Sequence, residues 1–129
     1  MPMDNKTLFR LAREAQINAY APYSKFYVGA AVLTTSGDVY KGSNVENSSY
    51  GASICAERVA LTKAISNGHR FIDAIAITSS DTDSPTFPCG ICRQFIFEFG
   101  PDIRIIVGTD EDNTSEYTIS ELLPEGFRL

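Results

Sequence analysis

The sequence predicts an α/β fold: a three-layer α-β-α sandwich around a mixed five-stranded sheet, with residues 1–129 forming one domain. Three observations carry that expectation. Segments of helical period alternate with segments of strand character. Glycine, proline and small polar residues punctuate the boundaries. A chain of 129 residues, 43% of them hydrophobic, can also bury a core without disulfide staples.

Residues 4–19 read as an amphipathic helix, because Leu8, Leu11, Ala12, Ala15 and Ala19 repeat at helical spacing. Asp4 or Asn5 can cap its start. Ala21-Pro22-Tyr23-Ser24 ends it. Residues 27–35 and 38–45 read as two strands joined through Ser36-Gly37, and 46–53 as a polar loop. A second helix fits 55–67, stopped by Gly68. Residues 71–79 form a buried strand and 80–88 a proline-bearing loop. A third helix fits 90–99, with Cys92, Phe95, Ile96 and Phe99 on one face and Gly100-Pro101 beyond it. Residues 103–109 are a further strand, and 110–115 a polar turn. Residues 116–118 form a short edge strand. Thr118-Ile119-Ser120-Glu121 is a capping box for a last short helix that ends at Pro124.

Charge narrows the function. The net charge is −5, and no segment stacks Lys and Arg on one face. A polynucleotide binder needs a basic stripe to displace phosphate counterions, so nucleic acid polymers and anionic membranes are poor partners. No apolar run approaches the roughly 18 residues of a membrane span. The first ten residues lack a secretion signal. A cytoplasmic protein acting on a small neutral molecule remains.

Three cysteines are present: Cys55, Cys89 and Cys92. An odd count argues against a disulfide framework. Cys55-Ala56-Glu57 and Pro88-Cys89-Gly90-Ile91-Cys92 each open a predicted helix. A helix N-terminus lowers a thiol pKa and favours the thiolate, the metal-binding form. Two such ends converging would set three thiolates around one cation, and zinc suits sulfur ligands in tetrahedral geometry. Three protein ligands leave a fourth position for water, whose pKa zinc lowers toward neutrality. Side chains in a first helical turn lean toward the N-terminus, so Glu57 can reach the open side and move a proton there. Three thiolates and one Zn²⁺ leave a net negative site. Arg58 could donate to a ligand sulfur and withdraw charge, and Gln94 is a further candidate for that task.

Other readings of these residues exist. Cys89 and Cys92 could form a redox pair, which leaves Cys55 and Glu57 without a role. The cysteines could instead hold a closed structural zinc, with His69 as fourth ligand. Glu57 could be a plain first-turn carboxylate and Arg58 a solvated surface residue.

C-A-E, then a spacer of 30 residues, then P-C-G-x-C-R-Q resembles the zinc-dependent cytidine deaminases, in their small-subunit, homotetrameric type with three cysteine ligands. The resemblance extends to Ala21-Pro22-Tyr23-Ser24-Lys25-Phe26-Tyr27-Val28-Gly29-Ala30-Ala31, to Asn44-Val45-Glu46-Asn47 and to Leu122-Leu123-Pro124 with Phe127. It implies one zinc per subunit on Cys55, Cys89 and Cys92, a zinc-bound hydroxide that attacks C4 of the base, and Glu57 as proton shuttle. Cytidine and deoxycytidine would become uridine and deoxyuridine with release of ammonia, a pyrimidine-salvage step. Asn44 and Glu46 would bind the ribose hydroxyls, Phe26 would pack beside the nucleoside, and the Ala56 N–H would bind the C2 carbonyl. Tyr50 and Phe127 would reach a neighbouring subunit's site in a homotetramer with shared active sites. Phe87 stands where the family usually has Ser or Thr, and Tyr27 where proline usually follows Phe26. A deaminase of another aminopyrimidine such as blasticidin S, and a non-catalytic zinc-stabilised domain, are the alternatives.

Overall fold

A computed structural model describes residues 3–129. Its elements are α1 (Asn5–Gln16), β1 (Val28–Thr34), β2 (Val39–Ser43), α2 (Ala56–Ser66), β3 (Ile72–Ser79), α3 (Gly90–Phe97), β4 (Arg104–Asp110), β5 (Asn113–Thr118) and α4 (Ile119–Leu122). The strands form one sheet in the order β2-β1-β3-β4-β5. β3 and β4 run parallel, as their connection through α3 requires, and the other neighbours are antiparallel.

The expected layering is present. The period of two in β3 sorts its side chains: Ala74 and Ala76 face one way, Ile75 and Ile77 the other. On the small-residue face, Leu8, Phe9 and Ala12 of α1 pack over Ala31, Ala74, Ala76 and Ile106. On the opposite face, Ala56, Ala60, Leu61 and Ala64 of α2 bury against Ala30, Val32, Ile75 and Ile77, with Ile96 of α3 alongside. β1 is buried along its whole length because both faces are covered.

Two glycines let the helices sit this close. A Cβ on Gly29 would lie 2.1 Å from the Ala12 carbonyl oxygen of α1. A Cβ on Gly42 would lie 2.5 Å from the Ala60 nitrogen of α2. Neither helix could keep its place over an alanine there.

Most boundaries fall within two residues of the expected ones, and three elements differ more. α1 stops at Gln16 rather than residue 19. Its last turn tightens through Asn18 and Ala19 to carbonyls three residues back, and Tyr20 then pairs with Asn44 and Glu46 through backbone bonds of 2.9 Å each. The expected loop 46–53 contains a 3₁₀ turn at Tyr50–Ala52. β5 starts at Asn113, three residues before the expected edge strand. Among the described residues, no helix is long and apolar enough to cross a membrane.

Candidate active site

The sheet places the starts of α2 and α3 side by side. Cys55 is the N-cap of α2 and Cys89 the N-cap of α3, and neither thiol is used in capping. Their sulfurs lie 3.7 Å apart, and the Cys92 sulfur, one turn into α3, lies within 4.8 Å of both. Tetrahedral zinc–sulfur bonds of about 2.3 Å put ligand sulfurs about 3.8 Å apart. The donor set and its spacing therefore fit one zinc ion held by three cysteines.

The electrostatics favour a thiolate at Cys55. A hydrogen bond from Cys92 and another from Arg58 bring its pKa down to about 5, against the opposing effect of burial. The hydrogen bond to Cys55 and burial push the Cys92 thiol the other way, up. Arg58 Nη2 lies 3.6 Å from the Cys55 sulfur and 3.5 Å from the Ser53 carbonyl, where it offsets thiolate charge. Glu57 is 3% exposed. Burial pushes its carboxyl up to about 7, and the nearby Cys55 charge adds to that.

A cavity of about 240 Å³ opens over these groups. Cys55, Ala56, Glu57 and Cys89 line its metal side, and Phe26, Asn44 and Glu46 line the other. Asn44 is nearly buried, and its side-chain amide is set by the chain it faces. Its Oδ1 accepts from Val28 N–H at 2.9 Å, and its Nδ2 donates to the Phe26 carbonyl at 2.8 Å. Glu46 accepts from Tyr23 N–H at 3.0 Å and Ser24 N–H at 3.1 Å through one oxygen, and from the Ser24 hydroxyl through the other. The Ser24 hydroxyl holds the Glu46 carboxyl below the usual carboxylate range.

The remaining expected residues fall elsewhere. Tyr50 lines an adjoining cavity of about 300 Å³, which shares Ser24 and Glu46 with the first. Its ring tilts against Tyr23 with centroids 5.7 Å apart. Phe127 lines neither cavity and is 65% exposed. Gln94, expected beside a ligand sulfur, donates instead to the Phe127 carbonyl at 3.2 Å. Its position two residues past Cys92 turns its side chain away from the cluster and toward the chain end.

His69 cannot close the metal site. It follows the far end of α2, a helix whose 11 residues span about 16 Å from Cys55. Its Nε2 meets Tyr40 Oη at 3.1 Å and Asp38 at 3.3 Å. The two departures from the resembled pattern are accommodated. Phe87 lines the cavity and packs edge-on against Tyr117 with centroids 5.4 Å apart. Tyr27 N–H donates to Ser80 Oγ at 3.1 Å, a bond that proline would forgo. Sequence reasoning gave no role to Ser24 or Thr86, which also line the cavity. Ser24 belongs to the segment 21–31, but hydroxyls are common in turns and signal little alone.

Three sulfurs spaced for one soft cation, with a buried acid beside them and a cavity above, define a metal-dependent hydrolytic site. Comparison with known proteins makes the class specific. Residues 2–109 match the family model described as the cytidine and deoxycytidylate deaminase zinc-binding region, and the chain belongs to that family. The cytidine deaminase of Halalkalibacterium halodurans is 48% identical over 126 residues, 97% of this chain and 95% of that protein. The cytidine deaminase of Sporosarcina psychrophila is 43% identical over 97% of this chain and 92% of that one. Among solved structures, cytidine deaminase from Burkholderia pseudomallei superposes with a TM-score of 0.91 at 41% identity, covering 97% of this chain and 100% of that one. Cytidine deaminase from Mycobacterium tuberculosis gives 0.86 at 37% identity, covering 98% and 99%.

Proposed function

We propose that the protein deaminates cytidine and deoxycytidine hydrolytically, giving uridine and deoxyuridine with release of ammonia. One observation carries the reading: a buried glutamate adjoins a three-sulfur cluster on the floor of a cavity that Asn44 and Glu46 border. The names of relatives at 43% and 48% identity supply the substrate class.

Cys55, Cys89 and Cys92 would hold zinc, which when bound would supply an acidified water. Glu57, with a carboxyl near neutrality, takes one proton from the attacking water and delivers it to N3 of the base, then takes the remaining proton from the new C4 hydroxyl and passes it to the departing amine, leaving the C4 carbonyl. Ala56 N–H, in the first turn of α2, has no partner within the helix and donates to the C2 carbonyl. The Phe87 carbonyl faces the amino group. Phe26 packs beside base and sugar. Asn44 keeps one N–H free after its bond to Phe26, and Glu46 keeps one lone pair, so each can meet a sugar hydroxyl.

Residues 1–129 act as one domain in this reading, and four copies assemble. The exposure of Tyr50 (74%) and Phe127 (65%) supports roles for both at a neighbouring subunit's site. Three free thiols suit a reducing, cytoplasmic compartment. The test is ultraviolet-monitored turnover of cytidine and deoxycytidine by zinc-loaded protein, with Glu57→Gln alongside. The variant should lose at least about 100-fold in kcat and keep its zinc. Folded protein with one zinc per chain and no turnover of either nucleoside would overturn the reading.

A further inference from the structure

Glu46 is a crowded acceptor. A carboxylate offers about four lone-pair sites on two oxygens. Tyr23 N–H and Ser24 N–H take both sites on Oε1, and the Ser24 hydroxyl takes one on Oε2. A single acceptor site remains, and it shares Oε2 with the Ser24 bond. The same Ser24 oxygen accepts the Phe26 N–H at 3.0 Å. One hydroxyl therefore ties the sugar-side carboxylate to the residue that packs beside the nucleoside. Lys25, between them, adopts a left-handed backbone with φ 59°. That conformation is unfavourable for a residue with a Cβ, and the bonds on either side hold it in place. Ser24 also lines both cavities at their junction.

We infer that Ser24 is a positioning residue for sugar recognition: its hydroxyl aims the one free acceptor site of Glu46 at a sugar hydroxyl and fixes Phe26 in the same act. The inference rests on the reading that Glu46 binds the sugar. Without the hydroxyl, the Glu46 oxygen can turn to water, and sugar binding weakens while the metal and Glu57 stay in place.

The experiment compares wild type, Ser24→Ala and Ser24→Thr on cytidine and on 2′,3′-dideoxycytidine. Ser24→Ala should raise KM for cytidine about tenfold, the scale of one charge-assisted hydrogen bond. Its kcat should stay within about twofold, since the bond touches no group that moves a proton. On the dideoxy substrate, Ser24→Ala should raise KM by a clearly smaller factor than on cytidine, because only the Phe26 contact is then disturbed. Ser24→Thr, which keeps a hydroxyl, should restore the preference for cytidine. An equal loss on both substrates would overturn the inference, because the hydroxyl would then be serving the fold or the base. Unchanged KM for cytidine in Ser24→Ala would overturn it as well. Wild type that turns over both substrates with equal KM would instead remove the sugar role of Glu46, and this inference with it.

Discussion

Cys55 and Cys89 cap two different helices, and their sulfurs stand 3.7 Å apart. A capping residue has extended backbone, and both have it, with ψ of 153° and 171°. Each thiol thus points past its helix end rather than along its side. Two helix N-termini face the cluster, and their partial positive charge favours thiolates there. Cys89→Ala should reduce zinc from one per chain to a trace by metal analysis, with loss of turnover. Full zinc occupancy in that variant would count against the three-sulfur site.

The cavity should exclude nucleotides. Glu46 and Glu57 line it, and no Lys or Arg is among the described residues around either cavity. Lys25 lies in the adjoining turn but lines neither. A 5′-phosphate would enter next to carboxylates with no cation to pair it, which costs several kcal/mol of discrimination. Steady-state kinetics should give a kcat/KM for cytidine 5′-monophosphate at least about 100-fold below that for cytidine.

Gly42→Ala should destabilise the fold and disturb the metal site together. The added Cβ would meet backbone atoms of α2, at 2.5 Å from Ala60 N and 2.9 Å from Ala56 O. Backbone cannot swing aside, so overpacking should cost about 1–3 kcal/mol. For a domain of this size that lowers Tm by roughly 5–10 °C. Because Cys55 starts the same helix, zinc affinity should fall too. Gly51→Ala, where a Cβ meets nothing within 4 Å, is the control and should leave Tm unchanged in a thermal melt.

Acid should weaken the junction of α1, β3, β4 and β5. Arg104 bonds Glu116 at 2.9 Å, Asp73 at 3.0 Å and Asn5 at 2.9 Å. Asn5 and then Arg104 hold the Glu116 carboxyl below the ordinary carboxylate range. A carboxyl whose folded pKa is depressed stabilises above its unfolded pKa, and that stability is lost as pH falls through the folded one. The effect is fully present at neutral pH, starts to fall near the ordinary carboxylate pKa, and is lost as pH drops through the depressed folded value. Glu116 is 43% exposed, which limits the contribution to under about 1 kcal/mol. Denaturant titrations at pH 7 and pH 3 should show Glu116→Gln costing more stability at the higher value.

The metal ligands and the sheet were legible because each rests on a strong local signal. Cysteines at helix starts and buried strands flanked by turns announce themselves in single segments. What escaped depended on distant partners. Ala19 continues the apolar period of α1, yet the helix stops because Tyr20 is claimed by Asn44 and Glu46 across the fold. Asn113-Thr114-Ser115 carries no apolar alternation and reads as a turn. It is strand because β4 offers it a ladder, with Val107 opposite Ser115 and Gly108 opposite Thr114. Gln94 sits two residues from a ligand but follows the helix round to Phe127. Ser24 gained its meaning only when the fold brought Glu46 to it, 22 positions along the chain.

The placement of the ligands also ties metal to folding. Cys55 and Cys89 are 34 positions apart, and the segment between them contains all of α2 and β3. An ion bridging them holds the two ends of that loop together in the folded chain. Binding to the folded chain alone adds stability by mass action, about 4 kcal/mol at a free ion concentration a thousand times Kd. The supply of zinc thereby sets the survival of the chain as well as its chemistry. Molecules made when the ion is scarce open more often, and proteases reach them first.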